Sequence, residues 1–525
     1  MSECRFVSGA LSKGRTAFMR HPLTAFILMG LAVRLLLMCT AGTFDAEYWG
    51  IVVRNIETGN GLYEADGYYY TPVWGYVLGL VSAFQDAVLS LGDSAVRVYE
   101  LIPAEGAVVT TSVTATSVLF NFCTKIPLML VDLLMGYLVY VLVRDMGGSR
   151  EKAVFAFALA WMSPVLLMST GVIGMPDTLA ATFTILAVVL LRRGQSFFAG
   201  LAFALGVLTK FFPLFLLFVL VAYLVSKYKG DAKRIAKEAV FAVSGAVLAF
   251  VAVFFPQAAE GNLPLAFQFL TDRLGIAGIS QTKFLLIIVL GVAALIVLAV
   301  LVVRLSDAIG KRRAAGKKIG RKTVLYVIAA AAVAVIALLA FAFSKIQSSG
   351  STSAADSIVS NTRVIAYVFI LILSILLAKH FYRSQTEDLD RNLVKYSFLT
   401  MASCMLYPPV TQYLCVVVPF LAYYIAMCDR KCMVSWKLLG LGSVLATSAA
   451  LPTMLLPLAA WTDLIEMSSI SHLLDVFLAG PSVFNIWCIV LAAGSVMQYF
   501  GVLSIFWVMF GRNILGKRGS EAEAE

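Results

Sequence analysis

The sequence predicts an all-α polytopic membrane protein, a bundle of about 14 (range 11–14) membrane-spanning helices. Its composition and its long apolar runs both point to this class. Of its 525 residues, 60% are hydrophobic and only 14% are charged, whereas a soluble globular chain carries roughly 25% charged residues. A water-soluble core cannot hide that apolar surplus, so the chain belongs in a bilayer.

Fourteen apolar runs are the candidate helices. Several are shorter than the ~20 residues that a straight crossing needs, which predicts tilted or broken spans. The runs lie near residues 22–40, 119–143, 153–170, 178–191, 197–209, 211–226, 238–256, 284–303, 323–343, 364–379, 396–408, 410–427, 437–459 and 484–510.

A further apolar run, 73–91, can either cross the membrane or lie on its outer surface. Lys and Arg concentrate in the cytoplasmic loops of membrane proteins. If 73–91 lies on the surface, 32 of the 41 Lys and Arg residues fall on one side. We therefore expect both termini in the cytoplasm and one long outer loop from about 41 to 118. The net charge of +11 then reflects orientation in the membrane, and no nucleic acid partner is expected.

The outer loop opens with an acidic pair, Asp45 and Glu47, directly after the first predicted helix. The loop as a whole carries nine acidic residues against two basic ones. Two carboxylates at the membrane edge can act as a general base, bind a cation, or do both. They can equally serve only to solvate the end of the loop.

Charged residues inside the apolar runs need partners or a function, because each costs on the order of 2.5–3.5 kcal/mol at the bilayer centre. Arg34 lies in the first predicted helix, and Lys125 and Asp132 lie in the second. Mutual neutralisation inside the bundle is one explanation for these three residues. The other explanation is a binding site for an anion.

Further charged residues lie at the predicted outer turns. Asp177 precedes a helix and can act as its N-cap, while Lys210 can simply extend its ammonium to the membrane surface. Arg273 and Lys283 are additional outer cations. Together, the outer charges suit a reaction in which a carboxylate takes a proton and cations hold a phosphate leaving group. The sequence contains no phosphate-binding loop of the NTPase type, so the energy would arrive with a membrane-borne substrate or a gradient.

Short motifs on the outer side occur in a characteristic order. They are Phe-Asp-Ala-Glu-Tyr at 44–48, Gly-Asn-Gly-Leu-Tyr at 59–63, Tyr-Tyr-Tyr-Thr-Pro-Val-Trp at 68–74, Lys-Ile-Pro at 125–127 with Asp-Leu at 132–133, Met-Pro-Asp at 175–177, and Leu-Thr-Lys-Phe-Phe-Pro at 208–213. In this order they resemble the GT-C superfamily of multispanning glycosyltransferases, which use polyprenyl-phosphate-linked sugars, and especially its bacterial mannosyltransferase-like members. Met175 stands where those members usually have Gln, which weakens a polar role at that position.

The resemblance implies a GT-C-like bundle whose long first extracytoplasmic loop contains juxtamembrane helices. The expected order is a cytoplasmic tail (1–21), a transmembrane catalytic region (22–430), C-terminal transmembrane helices (431–510) and a cytoplasmic tail (511–525). The resemblance also implies that a sugar, with mannose expected, is transferred with inversion from polyprenyl phosphate to a glycolipid, polysaccharide or other cell-envelope acceptor. The active site would face the outside of the cell membrane.

The resemblance also implies roles for individual residues. Asp45 would be the general base, and Glu47 would orient it, contact the acceptor or, if a divalent metal is used, share that metal with it. Asp177 would hold a sugar hydroxyl or position Lys210, while Tyr69 and Trp74 would contact the sugar or form part of the aromatic belt at the membrane surface. The residues expected to bind the donor phosphate are Lys210, Arg273, Lys125 and Arg34.

Two other classes of function remain open at this stage. A transporter or flippase of lipid-linked intermediates predicts broken helices around a site at mid-membrane and an inverted repeat. No convincing internal repeat occurs in the sequence. A non-catalytic scaffold subunit predicts that the Asp45 and Glu47 carboxylates lie without cations nearby.

Overall fold

A computed structural model describes residues 21–522 with several gaps. The gaps are residues 43, 60, 65–67, 69, 90–96, 102–110, 264, 268–353, 385–387, 408, 463 and 482–483. The described part is mostly helical, which confirms the predicted helical class. Two of the fourteen predicted helices, 284–303 and 323–343, lie outside the described residues.

The helices follow one another along the chain in this order: α1 (Pro22–Thr40), α2 (Phe44–Glu57), α3 (Pro72–Leu89), α4 (Val118–Asp145), α5 (Arg150–Trp161), α6 (Pro164–Leu166), α7 (Asp177–Arg192), α8 (Ser196–Thr209), α9 (Leu217–Lys227), α10 (Ala232–Ala259), α11 (Ala354–Arg383), α12 (Leu389–Cys404), α13 (Val418–Met427), α14 (Met433–Ser448), α15 (Leu451–Met454), α16 (Leu456–Trp461), α17 (Met467–Leu478) and α18 (Ile486–Ala522). Tight helical turns lie at Leu62–Glu64, Leu167–Ile173, Phe212–Leu216, Tyr413–Val416 and Arg430–Cys432.

Six helical segments of the described part are long and apolar enough to cross a membrane, or up to seven if a bent pair counts as one span. The chain is therefore a multi-pass membrane protein, although the count of about 14 spans stays a prediction. The bent pair joins Arg430–Ser448 to Leu451–Trp461 at an angle of 77°. The six segments are Pro22–Cys39, Val118–Asp145, Arg150–Ile173, Ala232–Ala259, Ala366–Arg383 and Ile486–Phe510.

A small antiparallel hairpin departs from the all-α prediction. Strands β1 (Arg97–Leu101) and β2 (Thr111–Ala115) pair in the long loop, with Tyr99 opposite Val113. Val, Thr and Tyr favour extended backbone, and both strands are rich in these residue types. The acidic and aromatic residues of the loop do not by themselves indicate strands, whereas this local preference for extended backbone does.

Glycines allow neighbouring helices to approach closely. A Cβ on Gly200 of α8 would lie 1.8 Å from the carbonyl oxygen of Ala242, and one on Gly245 of α10 would lie 1.9 Å from that of Phe197. Small residues at such crossings let helix backbones pack against each other, and packing is the main force that joins helices in a bilayer. The backbones of α8 and α10 therefore pack in direct contact at these two glycines.

The long loop packs against the helix ends through its own apolar core. Trp49, Trp74 and Leu78 from α2 and α3 are buried together with Phe120 of α4 and Met175. The Tyr76 hydroxyl also donates to the carbonyl of Val253, at 2.7 Å. Helices α2 and α3 are thus packed against α4 and α10, and their juxtamembrane position stays a prediction.

Opposite ends of α7 mark two separate polar layers. Asp177 begins this helix and Arg192 ends it, and 16 residues at ~1.5 Å each place them roughly 24 Å apart. Arg192 pairs with Asp145 at the end of α4 and, at 3.5 Å, with Asp390 of α12. The candidate active site lies at the Asp177 end of α7. The length of this helix therefore separates it from the polar layer around Arg192.

Candidate active site

Helix α2 presents Asp45 to the turn that precedes α7. The indole nitrogen of Trp49 donates to the carbonyl oxygen of Gly174 at 3.1 Å, which fixes one face of α2 against that turn. Asp45 precedes Trp49 by four residues in the same helix, and residues four apart lie on one face. The carboxylate of Asp45 therefore faces the turn that ends at Asp177.

Glu47 does not share that face. Residues two apart in a helix do not face each other, and α2 already begins at Phe44. Direct contact between the two carboxylates is therefore not favoured by the helix geometry. The three roles considered for Glu47, orienting Asp45, contacting the acceptor or sharing a metal, stay predictions.

A turn with left-handed backbone places Asp177. Gly174 has φ of +78°, a conformation that glycine adopts at no steric cost. Its amide, like that of Met175, donates to the carbonyl of Ser169, at 2.9 and 3.2 Å. This turn ends the helical segment that began at α6 and directs Asp177 into the first turn of α7.

Lys210 meets Asp177 across the end of α8. Its ammonium lies 3.3 Å from Oδ1 and 3.4 Å from Oδ2 of Asp177. Lys210 is the residue after the last turn of α8 and has extended backbone, which turns its side chain away from the helix. Both side chains are buried. The predicted association of Asp177 with Lys210 is therefore present in the structure.

Two tyrosine rings enclose the Lys210 ammonium. The nitrogen lies 4.8 Å from the ring centre of Tyr70 and 4.9 Å from that of Tyr413, within the range of cation–π attraction. The hydroxyl of Thr71, next to Tyr70, donates to the carbonyl of Leu208, which holds the loop beside Lys210. In the sequence, Tyr70 is one of several aromatic residues in the motif at 68–74, and Tyr413 lies some 200 residues after Lys210, so neither could be assigned to the site.

The pKa of Asp45 is raised to about 6, mainly because burial disfavours the charged carboxylate. The positive charge of Lys210 lowers this pKa, and the negative charge of Asp177 raises it. All three groups are therefore close enough to interact electrostatically. At neutral pH the Asp45 carboxylate is ionised and a stronger base than an exposed aspartate.

Lys125 caps the first helix. Its buried ammonium donates to the carbonyl oxygen of Ala41 at 2.6 Å, directly after the end of α1. A cation is favoured there by the helix dipole and by the carbonyls left without partners. Gly174 lies against the Lys125 side chain, since a Cβ at Gly174 would be 3.3 Å from Cε. Lys125 thus borders the site, but its observed partner is the backbone that leads to Asp45.

Arg34 is held in a buried ion pair. Its guanidinium donates twice to Oδ2 of Asp132, at 2.8 and 3.1 Å, and it stacks on the ring of Trp161 at 3.7 Å. Thr170 and Thr178 also donate to the Asp132 carboxylate. This geometry favours mutual neutralisation of Arg34 and Asp132 over phosphate binding by Arg34. Lys125 was grouped with this pair in that explanation, and it has a different partner.

The remaining predicted site residues divide into two groups. Trp74 is 1% exposed and packs edge-on against Trp49 at 5.8 Å between ring centres. This burial suits a core residue of the loop better than a surface for a sugar. Tyr69 and Arg273 lie outside the described residues, so their roles stay predictions.

The described part of the chain brings no three His, Cys, Asp or Glu side chains together in a group that could hold a metal ion. Whether a divalent metal takes part therefore stays open.

Comparison with known families supports the resemblance seen in the sequence. Residues 114–257 match the family described as dolichyl-phosphate-mannose-protein mannosyltransferase, a glycosyltransferase family of GT-C type. The matched stretch contains Lys125, Asp177 and Lys210. The GT-C resemblance is thus confirmed for this part of the chain. No curated protein matches the sequence.

Proposed function

We propose that this chain is a membrane glycosyltransferase that moves a sugar, with mannose expected, from a polyprenyl-phosphate donor to a glycolipid or other envelope acceptor. The observation that carries the proposal is the approach of Asp45 to the Asp177–Lys210 pair. This arrangement provides a raised-pKa carboxylate beside a buried cation. Asp177 and Lys210 also lie inside the stretch that matches a mannosyltransferase family.

The chemistry assigns one task to each side of this arrangement. The Asp45 carboxylate takes the proton of the acceptor hydroxyl. At the same time, the oxygen of that hydroxyl attacks the anomeric carbon of the donor sugar. The bond from that carbon to the phosphate oxygen breaks, and polyprenyl phosphate leaves with the bonding electrons. Attack opposite to the leaving group inverts the anomeric centre. A positioned base contributes typically ~10²–10⁴-fold to such a rate.

Lys210 is the cation that we assign to the leaving phosphate. An ammonium has three N–H donors, and its contacts to Asp177 of 3.3 and 3.4 Å are long for a charge-assisted hydrogen bond. The ammonium can therefore turn toward a phosphate without losing its electrostatic attraction to Asp177. Arg273 is proposed as a second phosphate ligand on the basis of the family resemblance, and Lys125 borders the same region.

The sidedness of the site is proposed from the charge distribution. Asp45 follows the first predicted crossing, and placing the basic loops in the cytoplasm leaves this end of the bundle outside. A donor anchored in the outer leaflet could then reach Lys210 laterally. Both termini would lie in the cytoplasm.

Purified chain in vesicles tests the proposal and separates it from transport. Vesicles would carry radiolabelled polyprenyl-phosphate mannose and an envelope extract as acceptor. We expect labelled mannose to appear on the acceptor together with free polyprenyl phosphate, and neither product to form without the chain. A transporter predicts instead that the intact donor changes leaflet and that no polyprenyl phosphate is released. That result would refute the proposed function.

A further inference from the structure

A C-terminal segment reaches the start of the acidic motif. We call residues 451–461, which form α15 and α16, the strap. The chain bends by 77° between the end of α14 and the strap. The carbonyl oxygen of Met454 in the strap then accepts a hydrogen bond from the amide of Gly42 at 2.8 Å. Gly42 precedes Asp45 by three residues, although more than 400 residues of chain separate it from Met454.

The contact between the strap and Gly42 leaves no room for a side chain. A Cβ on Gly42 would lie 2.4 Å from Cγ and 3.0 Å from Cδ of Pro457. The pyrrolidine ring of proline is stiff and cannot swing away as a long side chain can. Gly42 is therefore needed for a close backbone approach rather than for an unusual backbone conformation.

The strap is itself anchored. Leu456 is buried in a small cluster with Ala115, at the end of β2, and Ile470 of α17. The strap thus packs against α17 and the hairpin of the long loop, and contacts α4 as well. Because these neighbours hold it, the strap can restrain Gly42 rather than follow it.

The peptide before Asp45 is consequently held from two directions. Lys125 binds the carbonyl of Ala41 at 2.6 Å, and the strap binds the amide of Gly42 at 2.8 Å. Only one residue outside the described part, at position 43, separates this peptide from α2. We infer that the strap is a positioning element for the catalytic base: it fixes the exit of α1 and so the placement of Asp45. This inference rests on the proposed function of Asp45.

The variant Gly42→Ala tests the strap through the clash that it creates. A displacement of about 1 Å at a reacting group can cost ~10²-fold in rate, so we expect kcat per folded molecule to fall about 10- to 100-fold. The donor KM should change little, because the Lys210 side of the site is untouched. Gly79→Ala is the matched control, since a Cβ there meets nothing within 4 Å, and it should keep the wild-type kcat.

The double variant Gly42→Ala/Pro457→Ala tests whether any loss of kcat comes from this clash. Removing the ring of Pro457 makes room for the new methyl, so kcat should return to about that of Pro457→Ala alone, as expected for directly coupled positions. A wild-type kcat in Gly42→Ala, or a loss that the second substitution does not relieve, would overturn the inference.

If Gly42→Ala does not fold, Leu456→Ala loosens the anchor of the strap without touching Gly42. A lowered kcat at unchanged donor KM supports the inference, and a wild-type kcat contradicts it. The two proposals also fail separately. Full turnover by Asp45→Asn would refute the proposed role of Asp45. If Asp45→Asn is inactive but Gly42→Ala is fully active, only the proposed role of the strap is refuted.

Discussion

The ammonium of Lys210 lies 3.3 Å from the carboxylate of Asp177, and both groups are buried where α7 begins and α8 ends. Burying a charged pair is costly, and removing one member leaves an uncompensated charge that typically costs ~3–5 kcal/mol. The pair therefore fixes a cation beside Asp45 in a region where water does not screen it well. A site for a phosphate needs such a cation.

Lys210→Met should weaken phosphate binding and also destabilise the protein, because Asp177 is left without its cation. The double variant Lys210→Met/Asp177→Asn removes both charges, so its melting temperature should recover while its kcat/KM stays low. Thermal unfolding in detergent and kcat/KM for the donor measure the two effects. If activity returned together with stability in the double variant, Lys210 would have only a structural role.

The pH dependence of the reaction should report the Asp45 carboxylate. Only the ionised form can accept a proton, and its pKa is raised to about 6. The value of kcat/KM should therefore increase as the pH rises through about 6 and level off above it. A flat profile between pH 5 and pH 8 would contradict the assignment of Asp45 as base.

Variants of the charged pair should shift this profile in opposite directions. Lys210 lowers the pKa of Asp45, so Lys210→Met should move the midpoint of the residual activity to higher pH. Asp177 raises that pKa, so Asp177→Asn should move it to lower pH. Initial rates of the wild type and the two variants across a pH series test this. Shifts of the same sign in both variants would refute the placement of Asp45 beside the Asp177–Lys210 pair.

Arg34 and Asp132 should behave as a structural pair. Arg34→Met leaves the Asp132 carboxylate buried without its cation and should cost about 3–5 kcal/mol of stability. Arg34→Met/Asp132→Asn should recover most of that loss, and turnover per folded molecule should remain close to wild type. A selective rise in donor KM for the double variant, at normal stability, would instead restore the phosphate-binding role first considered for Arg34.

The two aromatic residues of the loop should separate by phenotype. Trp74→Ala empties a buried site and should destabilise the loop by about 3–5 kcal/mol, seen as faster proteolysis of the loop. Tyr70→Ala removes a ring that contacts Lys210, and at ~0.5–2 kcal/mol for a cation–π contact the donor KM should rise about 2- to 30-fold. Tyr70→Phe keeps the ring and is the matched control. An equal donor KM in the wild type, Tyr70→Ala and Tyr70→Phe would show that the Tyr70 ring takes no part in donor binding.

Composition and apolar runs predicted the helical membrane class, because an apolar surplus of this size cannot be hidden in a water-soluble core. The outer charges predicted only that carboxylates and cations gather on one side of the membrane. The contact of Asp177 with Lys210, 33 positions apart in sequence, agrees with one of the two roles that the family resemblance implied for Asp177.

Other features depend on geometry that a single sequence does not contain. Whether Glu47 can share the face of Asp45 depends on where α2 begins; its start at Phe44 places both residues in the helix, where residues two apart do not face each other. Tyr70 and Tyr413 were indistinguishable from the aromatic residues common at membrane surfaces. The contact of Gly42 with Met454 is a hydrogen bond between backbone atoms of distant parts of the chain. The side chains of these residues therefore do not reveal it in the sequence.

Turnover by Asp45→Asn tests the central claim most directly. Asparagine keeps the size of the side chain but cannot take the proton of the acceptor. The control is Glu57→Gln, because Glu57 lies in the same helix and its carboxylate accepts a hydrogen bond from Ser82. We expect Asp45→Asn to fold and bind the donor normally while losing ~10²–10⁴-fold in kcat, and Glu57→Gln to keep its activity. Wild-type turnover by folded Asp45→Asn would contradict the account.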